Sequence, residues 1–295
     1  MVSAGLRAGI EAAITRDSGT AFRIHAVAPA SGGCIHESFR VEGRGGRYFV
    51  KTNAPEFADA FAAEADGLAA LLAAGMRAPR PLVRGLAAGR AFLVMEYLEL
   101  GRSGDWAAMG RELAGMHRAT GKRYGWRGDN FIGSTLQTNR ELDDWWMFWR
   151  DARLLPQLAL AQRNRLASRL IDKGEQLADR LPGLLGCRAP VASLLHGDLW
   201  SGNAGFCSNG APVLFDPAVY YGDREADLAM TELFGGFPRG FYTAYAEVWP
   251  LDTGYPLRRN IYNLYHVLNH ANLFGGAYAA QAEATLDELL SESER

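Results

Sequence analysis

The stretch His196-Gly197-Asp198-Leu199-Trp200-Ser201-Gly202-Asn203, followed by Val213-Leu214-Phe215-Asp216, carries three oxygen-bearing side chains at a spacing that suits phosphoryl transfer. Moving a phosphoryl group to a hydroxyl needs a carboxylate to orient that hydroxyl and accept its proton. It also needs hard oxygen ligands for a Mg²⁺ ion on the phosphates. Asp198 suits the first task, and Asn203 and Asp216 suit the second. The step from Asp198 to Asn203 passes through small residues and reads as one tight loop. The apolar run before Asp216 reads as a short buried strand that delivers its carboxylate from a rigid base. Asp and Asn are also ordinary turn residues, so the loop alone leaves a structural reading open.

A phosphoryl-transfer enzyme also needs a lysine for the ATP phosphates on a strand near the N-terminus, after a small-residue loop. Ser31-Gly32-Gly33-Cys34-Ile35-His36 supplies the loop, with Gly32, Gly33 and Cys34 the candidate phosphate contacts. Glu37-Ser38-Phe39-Arg40-Val41, a turn at Gly43 to Gly46, and Arg47-Tyr48-Phe49-Val50-Lys51 then form a hairpin ending in the candidate lysine, Lys51. Beyond it Phe57, Phe61, Ala65, Leu68 and Leu72 recur at helical spacing from Pro55 to Gly75, with Pro55 at the helix start. Glu64 lies seven residues after Phe57 and falls on the apolar stripe. A carboxylate there is costly unless paired, and a Lys51-Glu64 ion pair satisfies both groups while aiming the lysine at the phosphates. The plainer alternative leaves Glu64 at the edge of the stripe in water.

Ala91 to Met95 reads as a central strand running into Glu96-Tyr97-Leu98, a connector that holds the adenine ring by backbone hydrogen bonds. Loop, strand lysine, helix glutamate, Met95-Glu96-Tyr97-Leu98, the His196 to Asn203 loop and Asp216-Pro217-Ala218, in that order, resemble the protein-kinase-like fold in its small-molecule branch. That branch includes aminoglycoside phosphotransferases and choline kinases. A narrower resemblance, to the fructosamine kinase (ketosamine-3-kinase) family, rests on Gly125-Trp126, Asp129-Asn130-Phe131-Ile132-Gly133-Ser134, Gln137, Asn139, and Trp145 through Arg153 to Leu158. Asp216 to Met230 and Tyr262-Asn263-Leu264-Tyr265-His266-Val267-Leu268-Asn269-His270 extend it to roughly Ser31–Tyr278. Where the family more often carries Asn or Ser after the loop isoleucine, this chain has His36, which alters local hydrogen bonding.

The resemblance implies an α+β bilobal fold: an N-terminal lobe over 1–95, strand-rich around one long helix, and a mostly helical catalytic lobe over 96–295, with the hinge near 96–99. It implies an ATP- and Mg²⁺-dependent kinase for ketosamines, the adducts of sugars with amines, acting on the 3-hydroxyl and supporting deglycation. A kinase for an aminoglycoside or amino alcohol on the same scaffold is the alternative, and a nucleotide-binding pseudokinase the third reading. Intact Lys51, Glu64, Asp198, Asn203 and Asp216 stand against the last.

Composition agrees. The 295 residues suffice for a full core and two lobes, and 48% hydrophobic with 22% charged residues is ordinary for a soluble enzyme. A net charge of -2 argues against nucleic-acid binding and offers no acidic field for a polycationic aminoglycoside. No apolar run has membrane-span length, and the N-terminus lacks a signal-peptide pattern. Cys34, Cys187 and Cys207 match neither a disulfide framework nor a zinc site, so a reducing cytoplasm and a monomer are expected. Cys34, in the phosphate loop, is a candidate oxidation switch and a point for redox-linked dimerisation.

Helices are expected over Asp105–His117, Leu142–Leu160 interrupted or ended near Pro156, Leu166–Leu181 closed by Pro182-Gly183, Arg224–Phe234, Phe237–Val248, Leu257–Leu273 and Ala277–Leu290. Several residues keep two readings. His117 is a packed core histidine or a substrate ligand, and His196 a brace for the catalytic loop. Asp227 favours a helix first turn and, by resemblance, anchors that loop. Trp145, Trp146, Phe148 and Trp149 are core or one wall of a sugar pocket. Asp129 and Asn130 are loop polar groups or substrate contacts.

Overall fold

The computed structural model describes residues 2–30, 35–186 and 188–292. Gly32, Gly33 and Cys34 of the expected phosphate loop, and with them the oxidation switch, lie outside the described residues. The chain forms two compact units, and neither is one continuous run. The first comprises Met1–Asp105, Asn130–Ser134 and Ala204–Ala218; the second comprises Trp106–Asp129, Thr135–Asn203 and Val219–Arg295.

The first unit is built on a five-stranded antiparallel sheet in the order β1-β2-β3-β5-β4, from β1 (Ile24–Pro29), β2 (Glu37–Gly43), β3 (Gly46–Asn53), β4 (Pro81–Ala87) and β5 (Arg90–Glu96). Gly43 pairs with Gly46 across the hairpin turn, which sets the register that places Lys51 opposite Ser38 and, on the other side, Leu93. Helix α2 (Ala58–Ala73) follows a short 3₁₀ turn that Pro55 opens, and it buries Phe61, Leu68 and Leu71. The sequence reading held one helix in this region; the structure adds α1 (Ala4–Ser18). Its signal was present: Leu6, Ile10, Ala13 and Ile14 share one face, and the Ser3 hydroxyl caps the Leu6 N–H at 3.2 Å. That face packs with Phe22, Ile24, Val41, Val50 and Phe92. The short strands β6 (Asn130–Ile132), β9 (Ala204–Phe206) and β10 (Pro212–Leu214) complete the unit. β9 and β10 pair antiparallel, and Pro212, Val213 and Leu214 are buried, as expected of the strand leading to Asp216.

The second unit holds α3 (Trp106–Met116), β7 (Thr135–Gln137), α4 (Trp145–Trp149), α5 (Leu155–Arg163), α6 (Ser168–Leu185), β8 (Ser193–Leu195), β11 (Tyr220–Gly222), α7 (Glu225–Leu233), α8 (Arg239–Val248), α9 (Tyr255–Phe274) and α10 (Ala277–Glu292). α3 packs on α8, and α9 packs on α7 and α10. A Cβ at Gly110 would stand 2.3 Å from the Phe241 carbonyl oxygen, so the α3–α8 approach needs glycine there. β8 and β11 pair antiparallel, which fixes the strand entering the catalytic loop against the one leading to Asp223.

One proline expectation is corrected and the other is resolved. Pro182 does not close α6: it lies inside the helix, which runs one turn further to Leu185. Leu170, Leu177, Leu181 and Leu185 form one buried stripe, and burying a leucine contributes about 1.5–3 kcal/mol, comparable to the roughly 3 kcal/mol an interior proline costs. Near Pro156 the aromatic helix is interrupted rather than ended, by a π-turn over Arg150–Leu154 between α4 and α5. Pro156 has no N–H for the Ala152 carbonyl, and the Arg153 guanidinium donates to that carbonyl instead, at 2.8 Å.

Candidate active site

In the first unit, β3 carries Lys51 into the interior, where it is 3% exposed. Its Nζ donates to Glu64 Oε1 at 2.7 Å and also pairs with Asp216 Oδ1. The expected Lys51–Glu64 pair is present, and a second carboxylate shares the same cation. Burial works to lower the lysine pKa, but the charges of Asp216 and Glu64 outweigh it and hold the group above its ordinary value. Glu64 is the more enclosed acid, its side chain 11% exposed against 34% for Asp216. Burial, with Asp216 adding repulsion, pushes its carboxyl up against the pull of Lys51. Asp216 sits at φ +51°, in the left-handed region that aspartate tolerates better than most residues.

His36 Nδ1 lies 3.0 Å from the Asn53 amide nitrogen, which also donates to the Ile35 carbonyl at 3.0 Å. The ring packs on Phe57 and Phe61. Burial, followed by the Lys51 charge, lowers the imidazole to about 4, so it stays neutral as the acceptor of that amide.

Glu96 ends β5, and its two carboxylate oxygens accept from Arg77 at 2.6 and 2.9 Å. The Arg77 hydrogen bonds hold its carboxyl below the usual range. The side chain is thus an anchor, which leaves only the backbone of Glu96, Tyr97 and Leu98 for the expected adenine contacts. The Tyr97 ring has guanidinium groups over it from Arg40 at 5.6 Å and Arg47 at 5.2 Å. Arg77 was not singled out by the sequence. Its carbonyl accepts from Leu214 N at 2.9 Å, so one residue ties the end of β5 to the strand that delivers Asp216.

In the second unit, the catalytic loop hangs from Asp227. The His196 and Gly197 N–H groups donate to its two oxygens at 2.7 and 2.9 Å, and His117 Nε2 lies 3.2 Å from Oδ2. Burial would raise this carboxyl, but the His117 hydrogen bond, both histidines and the Gly197 N–H outweigh it, so it stays below its ordinary value. His117 Nδ1 meets the Tyr245 hydroxyl at 2.8 Å, making His117 the packed core histidine of the two readings. His196 braces the loop as expected: its Nδ1 accepts from Asp198 N at 3.2 Å. Asn203 Nδ2 donates to the Asp198 carbonyl at 2.8 Å and to Asp198 Oδ2 at 3.0 Å, so the loop's two candidate side chains meet directly. A Cβ at Gly202 would stand 2.3 Å from the Trp200 ring, so the small residue there is what lets that ring fold over the loop.

Trp145, Phe148 and Trp149 are core, 0–2% exposed, with Trp145 Nε1 donating to the Tyr262 hydroxyl at 3.0 Å; they do not wall a pocket. Asp129 Oδ1 accepts from Asn139 N at 2.8 Å, a loop brace. The sequence also left Arg153 without a role. It is fully buried, stacked over Tyr220 at 4.0 Å and Phe148 at 4.7 Å, and it donates to the Thr138 carbonyl and Asn139 Oδ1 at 2.7 and 2.8 Å. It fixes the segment that carries Gln137, whose Oε1 accepts from Tyr265.

The sequence model of the family described as fructosamine kinase matches residues 7–292. A Synechocystis protein under the provisional name ketoamine kinase is 46% identical over 281 residues, 94% of each chain. A crystal structure from Haemophilus somnus, provisionally named a fructosamine-3-kinase, superposes with TM-score 0.87 at 27% identity, covering 95% of this chain and 96% of that one. An aminoglycoside phosphotransferase crystallised with AMP-PNP and hygromycin B gives TM-score 0.64 at 16% identity, over 96% of this chain and 98% of that one; the likeness is one of protein-kinase-like fold.

Proposed function

The chain belongs to the fructosamine kinase family, and from that membership we propose that it transfers the γ-phosphoryl group of ATP to a sugar hydroxyl of ketosamines. The observation that carries the reading at the residue level is the Asp227-anchored loop, in which Asp198 is held by its own backbone and by Asn203.

Asp198 orients the acceptor hydroxyl and takes its proton late in a loose transition state, a role that needs position more than a raised pKa. Lys51, kept protonated by Glu64 and Asp216, meets phosphate oxygens. Asn203 and Asp216 are the proposed Mg²⁺ ligands, and their donor chemistry fits. Asp216 offers carboxylate oxygens, and Asn203 spends its amide nitrogen on Asp198, which leaves the amide oxygen on the opposite side. Bound Mg²⁺ neutralises phosphate charge. The acceptor is the 3-hydroxyl of the sugar, and the phosphorylated product then breaks down to release the amine. Among the described residues no helix is long and apolar enough to cross a membrane.

The test is ADP release with ribulosamine, fructosamine and kanamycin as acceptors, with ³¹P NMR of the product. Turnover of the ketosamines and none of kanamycin is expected. Turnover of kanamycin alone, or of none of the three, overturns the proposal.

A further inference from the structure

Beside the catalytic loop, five aromatic rings form a continuous chain that the mechanism above leaves unused. Trp200, two residues after Asp198, meets Phe234 edge-on at 6.1 Å, and Phe234 meets His270 at 4.9 Å. His270 lies 5.6 Å from Phe274 and 5.0 Å from Tyr278, and those two rings are 6.3 Å apart. Trp200 is 37% exposed and Phe274 64% exposed. Single exposed apolar side chains need no explanation, but a contiguous series that starts at the catalytic loop does. Phe234 stands at the end of α7 before Gly235 and Gly236, and Phe274 at the end of α9 before Gly275 and Gly276. All four glycines have positive φ, so both rings sit at sharp helix ends.

The imidazole in the series has a defined orientation. His270 Nδ1 lies 2.8 Å from the His266 carbonyl, which only accepts, so Nδ1 carries the proton. In the neutral ring Nε2 is then an acceptor, and among the described residues it has no protein partner. Aromatic faces attract cations, and an imidazole acceptor beside them suits an N–H donor.

We infer that this series is a carrier subsite: it takes the ammonium group and the adjoining apolar body of the amine to which the sugar is attached. The inference rests on the ketosamine kinase reading and deepens it. In a ketosamine the amine is a secondary ammonium at neutral pH. It stands four bonds from the oxygen of the 3-hydroxyl that Asp198 receives, so the carrier must leave the reaction centre close to the catalytic loop. The ring series begins there and offers both the charge preference and the apolar surface such a group needs. The enzyme therefore selects ketosamines by their amine as well as their sugar, and favours carriers with an aromatic or long aliphatic body.

The experiment compares two ketosamines of one sugar, made with methylamine and with phenethylamine, in wild type, Phe274→Ser, His270→Leu and, as an exposed apolar control, Leu86→Ser. Leu86 is 63% exposed on β4 of the first unit. Wild type should have the higher kcat/KM for the phenethylamine adduct. Phe274→Ser and His270→Leu should each reduce that preference roughly tenfold, mainly through acceptor KM, the scale of one lost ring or cation–π contact. Leu86→Ser should retain it. Turnover of both adducts with a preference that neither substitution moves, or that Leu86→Ser moves equally, overturns the carrier subsite and leaves the kinase reading intact. Turnover of neither adduct by wild type overturns both.

Discussion

Each unit buries a carboxylate beside its candidate site residues, and the two are treated in opposite ways. Glu64 in the first unit shares one cation, Lys51, with Asp216, so two acids compete for one positive charge and the Glu64 carboxyl is pushed up. Asp227 in the second unit accepts two backbone N–H groups and a histidine, and its carboxyl stays low. The first arrangement has a surplus of negative charge suited to receiving a cation; the second is saturated and holds a loop in one shape. One unit keeps its electrostatics adjustable, and the other keeps its geometry fixed.

The largest effect expected from breaking this contrast is at the group that the fixed geometry serves. Asp198→Ala should lower kcat by about 10²-fold or more while ATP affinity stays within a few-fold, measured by steady-state kinetics and nucleotide titration. Near-normal turnover would remove Asp198 from the mechanism. Asp227→Asn keeps one accepting oxygen and sets an NH₂ group against the donors that the other oxygen accepts from in the wild type. It should cost about 3 kcal/mol in urea unfolding and lower kcat as well, because one of the His196 and Gly197 N–H groups, which donate to different oxygens of Asp227, loses its acceptor. A loss below about 1 kcal/mol would show that the loop is held by other contacts.

The adjustable side is probed by Asp216→Asn, which should abolish the extra thermal stabilisation that Mg²⁺ adds to ATP. At a hundredfold excess over Kd that term is about 2.7 kcal/mol by linkage. An unchanged Mg²⁺-dependent shift would place the metal elsewhere. The smallest effect concerns acid stability. Burial, helped by His270 and Arg153, lowers His266 to about 3, against 6.5 for an ordinary histidine. As pH falls below 6.5 the unfolded chain takes up a proton that the folded chain refuses until about 3, so stability declines across that window. The decline from this group should be about 1.5 kcal/mol between pH 6.5 and 5. His266→Leu should flatten the profile by that amount and leave the parallel contribution of His36 in the first unit; an identical profile in the variant would refute the assignment.

Much of the site was readable in order along the chain. The hairpin turn at Gly43 to Gly46, the helical stripe holding Glu64 and the apolar run before Asp216 are local patterns, and each appears where expected. The contacts that missed prediction join residues distant in sequence. Lys51 meets Asp216, Arg77 meets Glu96, and His117 meets Asp227. Pro182 misled for a related reason: its local rule is sound, but the buried leucine stripe on both sides of it prevails.

Residue type, spacing and period alone determined which side chains could do phosphoryl chemistry, which helix would carry the partner for Lys51, and where most strands and helices lie. They act over a few residues, where backbone geometry links neighbours directly. Only the tertiary structure decided that Lys51 is shared by two acids, that Glu96 is an anchor, that Trp145, Phe148 and Trp149 are core, and that five rings beside Asp198 join into one surface. Those outcomes depend on which distant segments are brought together and on whether burial leaves a charge paired or a ring exposed, and no local pattern carries that information.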